Sequence, residues 1–176
     1  MELQPYSLAD KLVALTPLAE SDFEKLFSVA SDPLIWEQHP NKNRYQRTIF
    51  ENFFKGAMES GGAFLVSDNK TQASIGSSRF YEYNEKDKSI AIGYTFLARS
   101  CWGKGYNNSM KTIMLNHAFV FVNTVVFHVG AENVRSQKAM NKLNAIKVGE
   151  VNMEYYGEPN RLNFIYHINK IDWAAR

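Results

Sequence analysis

The sequence is short of three things: cysteine, an excess of one charge and a long apolar run. Cys101 is the single cysteine, so no disulfide can form within the chain, and this usage is typical of a reducing cytoplasm. The 20 Lys and Arg residues nearly balance the 18 Asp and Glu residues, which leaves a formal net charge of +2. Because the basic residues are also scattered along the chain, the sequence does not predict a nucleic-acid partner.

No membrane segment or export signal is indicated. The most apolar stretch, residues 118–129, contains Asn123, Thr124 and His128 and is far shorter than the roughly 20 apolar residues of a membrane span. The N-terminus lacks a basic start followed by an apolar run. The histidines and carboxylates lack the spacing of a ligand set. We therefore expect a cytoplasmic protein with neither a membrane partner nor a metal site.

Hydrophobic periodicity predicts one domain over residues 1–176 with alternating blocks of strands and helices. Strands are expected at residues 12–18, 63–67, 74–83, 89–97, 124–129, 145–153 and 162–169, and helices at 23–30, 49–58, 110–121 and 133–143. Polar turns join the second to fourth strands, which suits antiparallel hairpins, whereas the strand-helix-strand unit that follows needs a parallel crossover. The fold class is therefore α/β, an α+β arrangement with a mixed sheet. The oligomeric state stays open.

A glycine-containing turn between the fourth strand and the third helix is the main functional signal. Gly103 and Gly105 would let the backbone approach a ligand closely, and the first N–H groups of the following helix suit an anion such as a pyrophosphate. A purely structural turn explains the sequence Gly103-Lys104-Gly105 about as well. The two better-known glycine-rich phosphate motifs are both absent.

At this turn the chain resembles the GNAT superfamily of N-acetyltransferases, in particular the branch of ribosomal-protein N-terminal acetyltransferases. Residues 100–105 match both glycines of the family turn [Gln/Arg]-x-x-Gly-x-[Gly/Ala], with Ser100 in place of the first residue. Residues 133–143 are similar to the family helix Asn-x-x-Ser-x-x-x-x-x-Lys-Leu. Two motifs in register are more specific than either alone, and the resemblance covers residues 12–173.

The resemblance implies a twisted GNAT-like sheet flanked by helices and acetyl-CoA as co-substrate, with direct acetyl transfer to a primary amine. The implied acceptor is a small-molecule amine or a protein N-terminus. The implied cofactor-binding residues are the backbone of Phe96 and Leu97 for the pantetheine, the turn and helix start Gly103, Lys104, Gly105, Tyr106, Asn107 and Asn108 for the pyrophosphate, and Asn133 and Ser136 for the pantetheine and the thioester sulfur. Asn133 also fits a simple helix cap.

The sequence departs from the resembled family at the positions of the acid and base groups. Where many relatives carry Glu this chain has Ala91 and Ser109, and where others carry a Tyr acid it has Met140. Ser136 is left as a candidate proton donor and Glu82 as a weak candidate base, with Tyr83, Tyr155 or water as further relays. A catalytically weak or inactive acyl-CoA-binding module on the same fold is the alternative.

The acceptor is expected between the early helices and the last strands. Candidate lining residues there are Trp36, His39, Arg79 and Tyr81, together with Glu37, Asn43, Arg44 and Tyr156. A Trp or Tyr is more often a packing residue, and an isolated His is usually neither a ligand nor a base. A lysine amine, with a pKa of about 10.4, is rarely neutral at pH 7, whereas an α-amine near 7.8 often is. Weak base machinery therefore favours an amine of low pKa.

Overall fold

The computed structural model describes residues 2–154 and 159–176. In this part of the chain the strands form one mixed sheet in the spatial order β1-β2-β3-β4-β5-β6-β8-β7. The strands are β1 (Leu8–Ala9), β2 (Val13–Pro17), β3 (Ala63–Asp68), β4 (Ser74–Asn84), β5 (Ser89–Leu97), β6 (Thr124–Gly130), β7 (Ile146–Met153) and β8 (Arg161–Asn169). The helices are α1 (Phe23–Ala30), α2 (Arg47–Glu59), α3 (Tyr106–Ala118), α4 (Val134–Lys142) and α5 (Lys170–Ala174).

The predicted order of elements is confirmed, with two short additions. The strand β1 and the helix α5 were not predicted, because two and five residues are too few to show a periodic pattern. The helix α3 ends at Ala118, before the predicted limit of residue 121. The β2-to-β5 meander is antiparallel, and β5 pairs with β6 in parallel, as predicted.

Two apolar layers cover the two faces of the sheet. On one face α2 presents Phe50, Phe53 and Phe54, which its helical period brings to one side. These rings pack with Trp36 and with Phe96 of β5. The ring centres of Trp36 and Phe96 lie 5.1 Å apart. On the other face α3 and α4 contribute a second cluster, which includes Met110, Met114, Leu115, Met140 and Leu143. We call these the α1/α2 face and the α3/α4 face.

The parallel pair β5–β6 opens early. Its pairing comprises Ser89 with Thr124, Ile90 with Val125, and Ala91 with Val126, and ends there. We predicted that the strands would separate after Leu97, so the opening begins closer to the middle of the sheet than expected. The physical reason is a bulge in β5 at Tyr94, which has a φ of 52°. Between two successive pairings, β5 advances by three residues while β4 advances by two.

No helix in residues 2–154 and 159–176 combines the length and apolar character needed to cross a membrane.

Candidate active site

The opening between β5 and β6 is flanked by the glycine turn and by the starts of α3 and α4. Gly103 has a φ of 73° and Gly105 a φ of 88°, a left-handed conformation that glycine adopts readily. A Cβ at Gly103 would meet no heavy atom within 4 Å, and one at Gly105 would only touch Leu12 at 3.9 Å. The fold therefore leaves space in front of this turn, which is what a bound phosphate requires.

The first backbone amides of α3 lie next to this space. The first amide to bond within the helix is that of Ser109, which donates to the Gly105 carbonyl. The amides that precede it have no intrahelical acceptor and carry the positive end of the helix dipole. Among the described residues, the structure records no hydrogen bond for the side chains of Lys104, Asn107 or Asn108. The assignment of residues 103–108 to phosphate binding stays a prediction.

Two carboxylates hold the first turn of α3 from the β2–β3 side. Asp68 accepts a hydrogen bond from the Tyr106 hydroxyl, and Asp10 accepts one from Ser109. The bond from Tyr106 lowers the pKa of Asp68 to about 2 and the same contact raises the pKa of Tyr106 to about 12. The Tyr106 hydroxyl is therefore occupied by Asp68, and the part of Tyr106 that could bind phosphate is its backbone amide.

The backbone at the end of β5 is partly occupied within the protein. The Phe96 carbonyl lies against Gly76 of β4, only 2.0 Å from where a Cβ on that glycine would be. The indole of Trp102 donates to the Leu97 carbonyl at 3.0 Å. The pairing of Phe96 and Leu97 with pantetheine stays a prediction, with the Phe96 carbonyl turned toward β4.

The start of α4 lies close to the turn that precedes α3. The Asn133 side-chain oxygen accepts from the Ser136 amide at 3.0 Å, so the residue caps the helix. Arg135 ties α4 to the turn, because its guanidinium lies 3.8 Å from the centre of the Trp102 ring and 2.6 Å from a Glu37 oxygen. In the described part of the chain the Ser136 hydroxyl has no recorded partner, so it is available to a ligand.

Substitutions at Asn133 separate its two expected roles. Asn133→Ala should lose the helix cap, which costs about 1 kcal/mol of stability. The same variant should also bind CoA more weakly. Asn133→Asp keeps an oxygen cap of equal rank but removes the amide donors. We expect Asn133→Asp to melt like the parent and to bind CoA several-fold more weakly, by calorimetry. If Asn133→Asp matched the parent in both measurements, the residue would be a cap alone.

The predicted acceptor residues divide into packed and accessible groups. Trp36 is 1% exposed and donates from its indole to the Ala30 carbonyl, and Arg79 is 4% exposed and donates to the Gly56 carbonyl at 3.0 Å. His39 lies 3.2 Å from Arg44, and burial, followed by that positive charge, holds the pKa of His39 well below its usual value. Tyr81 is the predicted residue that reaches the opening. Tyr155 and Tyr156 lie outside the described residues.

Tyr81 crosses β5 to a residue that sequence reasoning missed, His128 of β6. The Tyr81 ring covers Gly93, and its hydroxyl lies 2.8 Å from Nδ1 of His128. Burial first, and then the charge of His167, lowers the pKa of His128, so its imidazole is neutral at pH 7. Because Tyr81 packs on Tyr94 of the α1/α2 cluster, this pair lies on the α1/α2 face. A polar residue in an otherwise apolar strand was the available signal.

Lys111 of α3 is the second residue that was missed. It is 3% exposed and donates to Oγ1 of Thr95 at 2.6 Å and to Oγ of Ser78 at 3.2 Å. Burial lowers its pKa to about 7. The signal was its position four residues before Leu115 and seven before Ala118, which places a lysine on the buried stripe of the helix.

Glu82, the predicted weak base, lies at a second bulge in β4 with a φ of 52°. Its side chain is exposed overall, and partial burial of the carboxyl raises its pKa. Its role stays a prediction. Within the described ranges, no three His, Cys, Asp or Glu side chains cluster as a metal-ligand set.

Comparison with known proteins settles the family. Residues 13–146 match the family model described as an acetyltransferase (GNAT) domain. The chain belongs to the GNAT acetyltransferase family. It is an N-acetyltransferase, and the resemblance read from the two motifs is confirmed. Curated protein sequences contain no match to the chain.

Solved structures of low sequence identity share the fold. A GCN5-related N-acetyltransferase from Brucella melitensis superposes with a TM-score of 0.82 at 18% identity, covering 98% of this chain and 84% of that one. RimJ from Mycobacterium smegmatis, in complex with CoA-disulfide, gives 0.72 at 16% identity, covering 94% and 87%. Spermidine N-acetyltransferase from Vibrio cholerae, in complex with CoA and spermine, gives 0.71 at 15% identity, covering 94% and 99%.

Proposed function

We propose that this GNAT protein transfers the acetyl group of acetyl-CoA directly to a primary amine in the opening between β5 and β6. Acetyl-CoA is the co-substrate. The observation that carries the proposal is the open space before the α3 amides, next to two strands that stop pairing at Ala91. A left-handed glycine turn that no protein atom fills fits a pyrophosphate, and separated strands fit an extended pantetheine arm.

The two faces of the sheet divide the chemistry. Phosphate and pantetheine would lie at the N-terminal ends of α3 and α4, where Gly105, Asn133 and Ser136 are found. The acceptor amine would approach from the α1/α2 face, where Tyr81 and His128 meet. Holding amine and thioester on opposite sides of one opening makes the attack effectively unimolecular, and backbone amides of β5 would stabilise the oxyanion.

His128 is the candidate general base for this attack. The amine nitrogen forms a bond to the acetyl carbon and must lose a proton, and a neutral imidazole can accept it. In the tautomer whose Nδ1–H donates to the Tyr81 hydroxyl oxygen, Nε2 keeps its lone pair and can take the proton of the acceptor. Because the pKa of His128 is lowered, it is a weak base, which favours an amine that is already partly neutral at pH 7.

The acceptor class follows from that argument. One structural neighbour is a spermidine N-acetyltransferase and another is RimJ. We propose an α-amine, on a small molecule or at a protein N-terminus, because its pKa of about 7.8 suits a weak base better than an alkylamine does. The N-terminal amine of a peptide and a free polyamine are therefore the two acceptors to compare first.

A thiol-release assay tests the function. Purified protein with acetyl-CoA is incubated with amino acids, polyamines, aminoglycosides or N-terminal peptides, and free CoA thiol and acetylated product are measured. We expect turnover with at least one α-amine and faster turnover than with spermidine. CoA binding without thiol release from any amine would instead indicate the alternative, an inactive acyl-CoA-binding module.

A substitution at Lys104 tests how much the charge of this side chain contributes to CoA affinity. Its side chain is exposed, so its attraction to a phosphate is screened by salt. We expect Lys104→Ala to weaken CoA binding about two- to fivefold at low salt and less at high salt, since an exposed pair is worth roughly 0.2–1 kcal/mol. Lys86→Ala, an exposed lysine in the distant β4–β5 turn, is the control and should leave affinity unchanged. A loss at Lys104 independent of salt would contradict a purely electrostatic role.

A further inference from the structure

Lys111 of α3 has a buried side-chain amine. In the described part of the chain, no ion pair includes it, and its recorded partners are the hydroxyls of Ser78 on β4 and Thr95 on β5. An ammonium has three donors, so two hydroxyl acceptors leave one hydrogen unaccounted for. Taking an unpaired charge out of water costs folding energy, and a methionine would fill the same volume without that cost.

The Lys111 amine lies close to the opening between β5 and β6. Its nitrogen lies 2.6 Å from Thr95 on β5 and 5.7 Å from the centre of the Phe127 ring on β6. Phe127 directly follows Val126, the last residue of β6 that pairs with β5. The nitrogen thus lies over β4 and β5 on the α3/α4 face, beside the part of β5 that has separated from β6, and this is the side proposed for pantetheine. The Tyr81–His128 pair is on the opposite face.

We propose that the Lys111 amine is the proton donor to the CoA thiolate that leaves when the thioester is cleaved in this opening. The inference rests on the proposed function. The amine nitrogen of the acceptor bonds to the acetyl carbon, the carbon–sulfur bond breaks, and its electron pair stays on sulfur. A proton passes from Lys111 Nζ to sulfur, and the proton lost by the acceptor passes to His128 and then to solvent. Solvent returns one proton to Lys111, so the reaction balances.

The surroundings of the amine support this role. Ser78, Thr95 and Phe127 are the groups that face it from β4, β5 and β6, and none of them titrates near neutral pH. Burial alone lowers the pKa of Lys111 to about 7, which lets the amine both give and regain a proton near neutrality. The α4 position at which relatives carry a Tyr acid is Met140, which is 4% exposed and has no proton to give.

The first readout is the ionisation of bound CoA, which does not require turnover. CoA is titrated in complex with the parent, Lys111→Met and Ser136→Ala, and thiolate formation is followed by ultraviolet absorbance with desulfo-CoA as the blank. A cation beside sulfur favours its charged form, so bound thiol should ionise about 1 to 3 pH units lower in the parent than in Lys111→Met. Ser136→Ala should shift thiol ionisation by less than Lys111→Met does, because a hydroxyl carries no charge.

The second readout is stability against pH. The folded pKa of about 7 lies below the usual value near 10.4, so between these values the unfolded chain holds more protons and the parent grows more stable as pH rises. Lys111→Met should lose this rise, melt higher than the parent at pH 7, and turn over at least about tenfold more slowly. Thr95→Val, which removes the nearer acceptor, should move thiol ionisation in the same direction by less.

The outcomes separate the two proposals. Absence of CoA binding by the parent would remove the proposed function itself. Binding with the same thiol ionisation in the parent and in Lys111→Met would overturn the role of Lys111 and leave the function standing. A shift in Ser136→Ala without one in Lys111→Met would also overturn it and assign the proton to the serine.

Discussion

Gly105→Val is expected to abolish measurable CoA binding, a loss of at least about a hundredfold, in a protein that still folds. The residue has a φ of 88°, and the space beside it contains only Leu12 at the edge of van der Waals contact. A valine side chain would therefore fill the place proposed for the pyrophosphate and disturb the left-handed turn that directs the α3 amides. Calorimetry with CoA measures the effect, and circular dichroism confirms the fold.

Gly61 offers a matched control for the cost of the backbone conformation. It also has a left-handed φ, of 60°, and a Cβ there would meet no heavy atom within 4 Å. Gly61 ends α2, away from the turn that contains Gly105. Both valine variants should lose roughly 1–2 kcal/mol of stability or somewhat more, because a side chain is strained at such a φ. Only Gly105→Val should lose the ligand. If folded Gly105→Val bound CoA like the parent, the cofactor assignment would have to be withdrawn.

His128→Ala is expected to lower kcat at least about a hundredfold with little change in CoA affinity. The imidazole faces the acceptor side and is proposed to take the proton of the attacking amine, and general-base catalysis is worth about 10² to 10⁴ in rate. Activity of the parent should fall as pH drops through the lowered pKa of His128, below its usual 6.5, because the protonated ring cannot accept a proton. The variant should lose that limb of the pH profile.

Two further variants make the test specific. His167→Ala removes another histidine whose pKa is lowered by burial but which lies on β8, and it should retain most of the activity. Tyr81→Phe keeps the ring over Gly93 and removes the hydroxyl that holds Nδ1, so a loss of a few-fold is expected. Equal losses for His128→Ala and His167→Ala would assign the base elsewhere, with Glu82 the next candidate.

The residues that sequence reasoning found are those whose role depends on neighbours in the chain. Gly103 and Gly105 stand out because a left-handed turn before a helix needs them, and Asn133 because a cap is a local feature. The catalytic candidates fared differently. Ser136 and Glu82 remain untested, whereas Lys111 and His128 were passed over because nothing in their local sequence shows what they face.

The sequence by itself determined the element order, the mixed sheet, the glycine turn and the family, since periodicity, caps and turn residues act over a few positions. Tertiary structure decided where β5 and β6 separate, that β8 lies between β6 and β7, and that Tyr81 meets His128. It also decided that the Lys111 amine is buried against Ser78 of β4 and Thr95 of β5. The reason is physical: strand register, bulges and the desolvation of a charge depend on contacts between residues far apart in the chain, and these exist only once the sheet has formed.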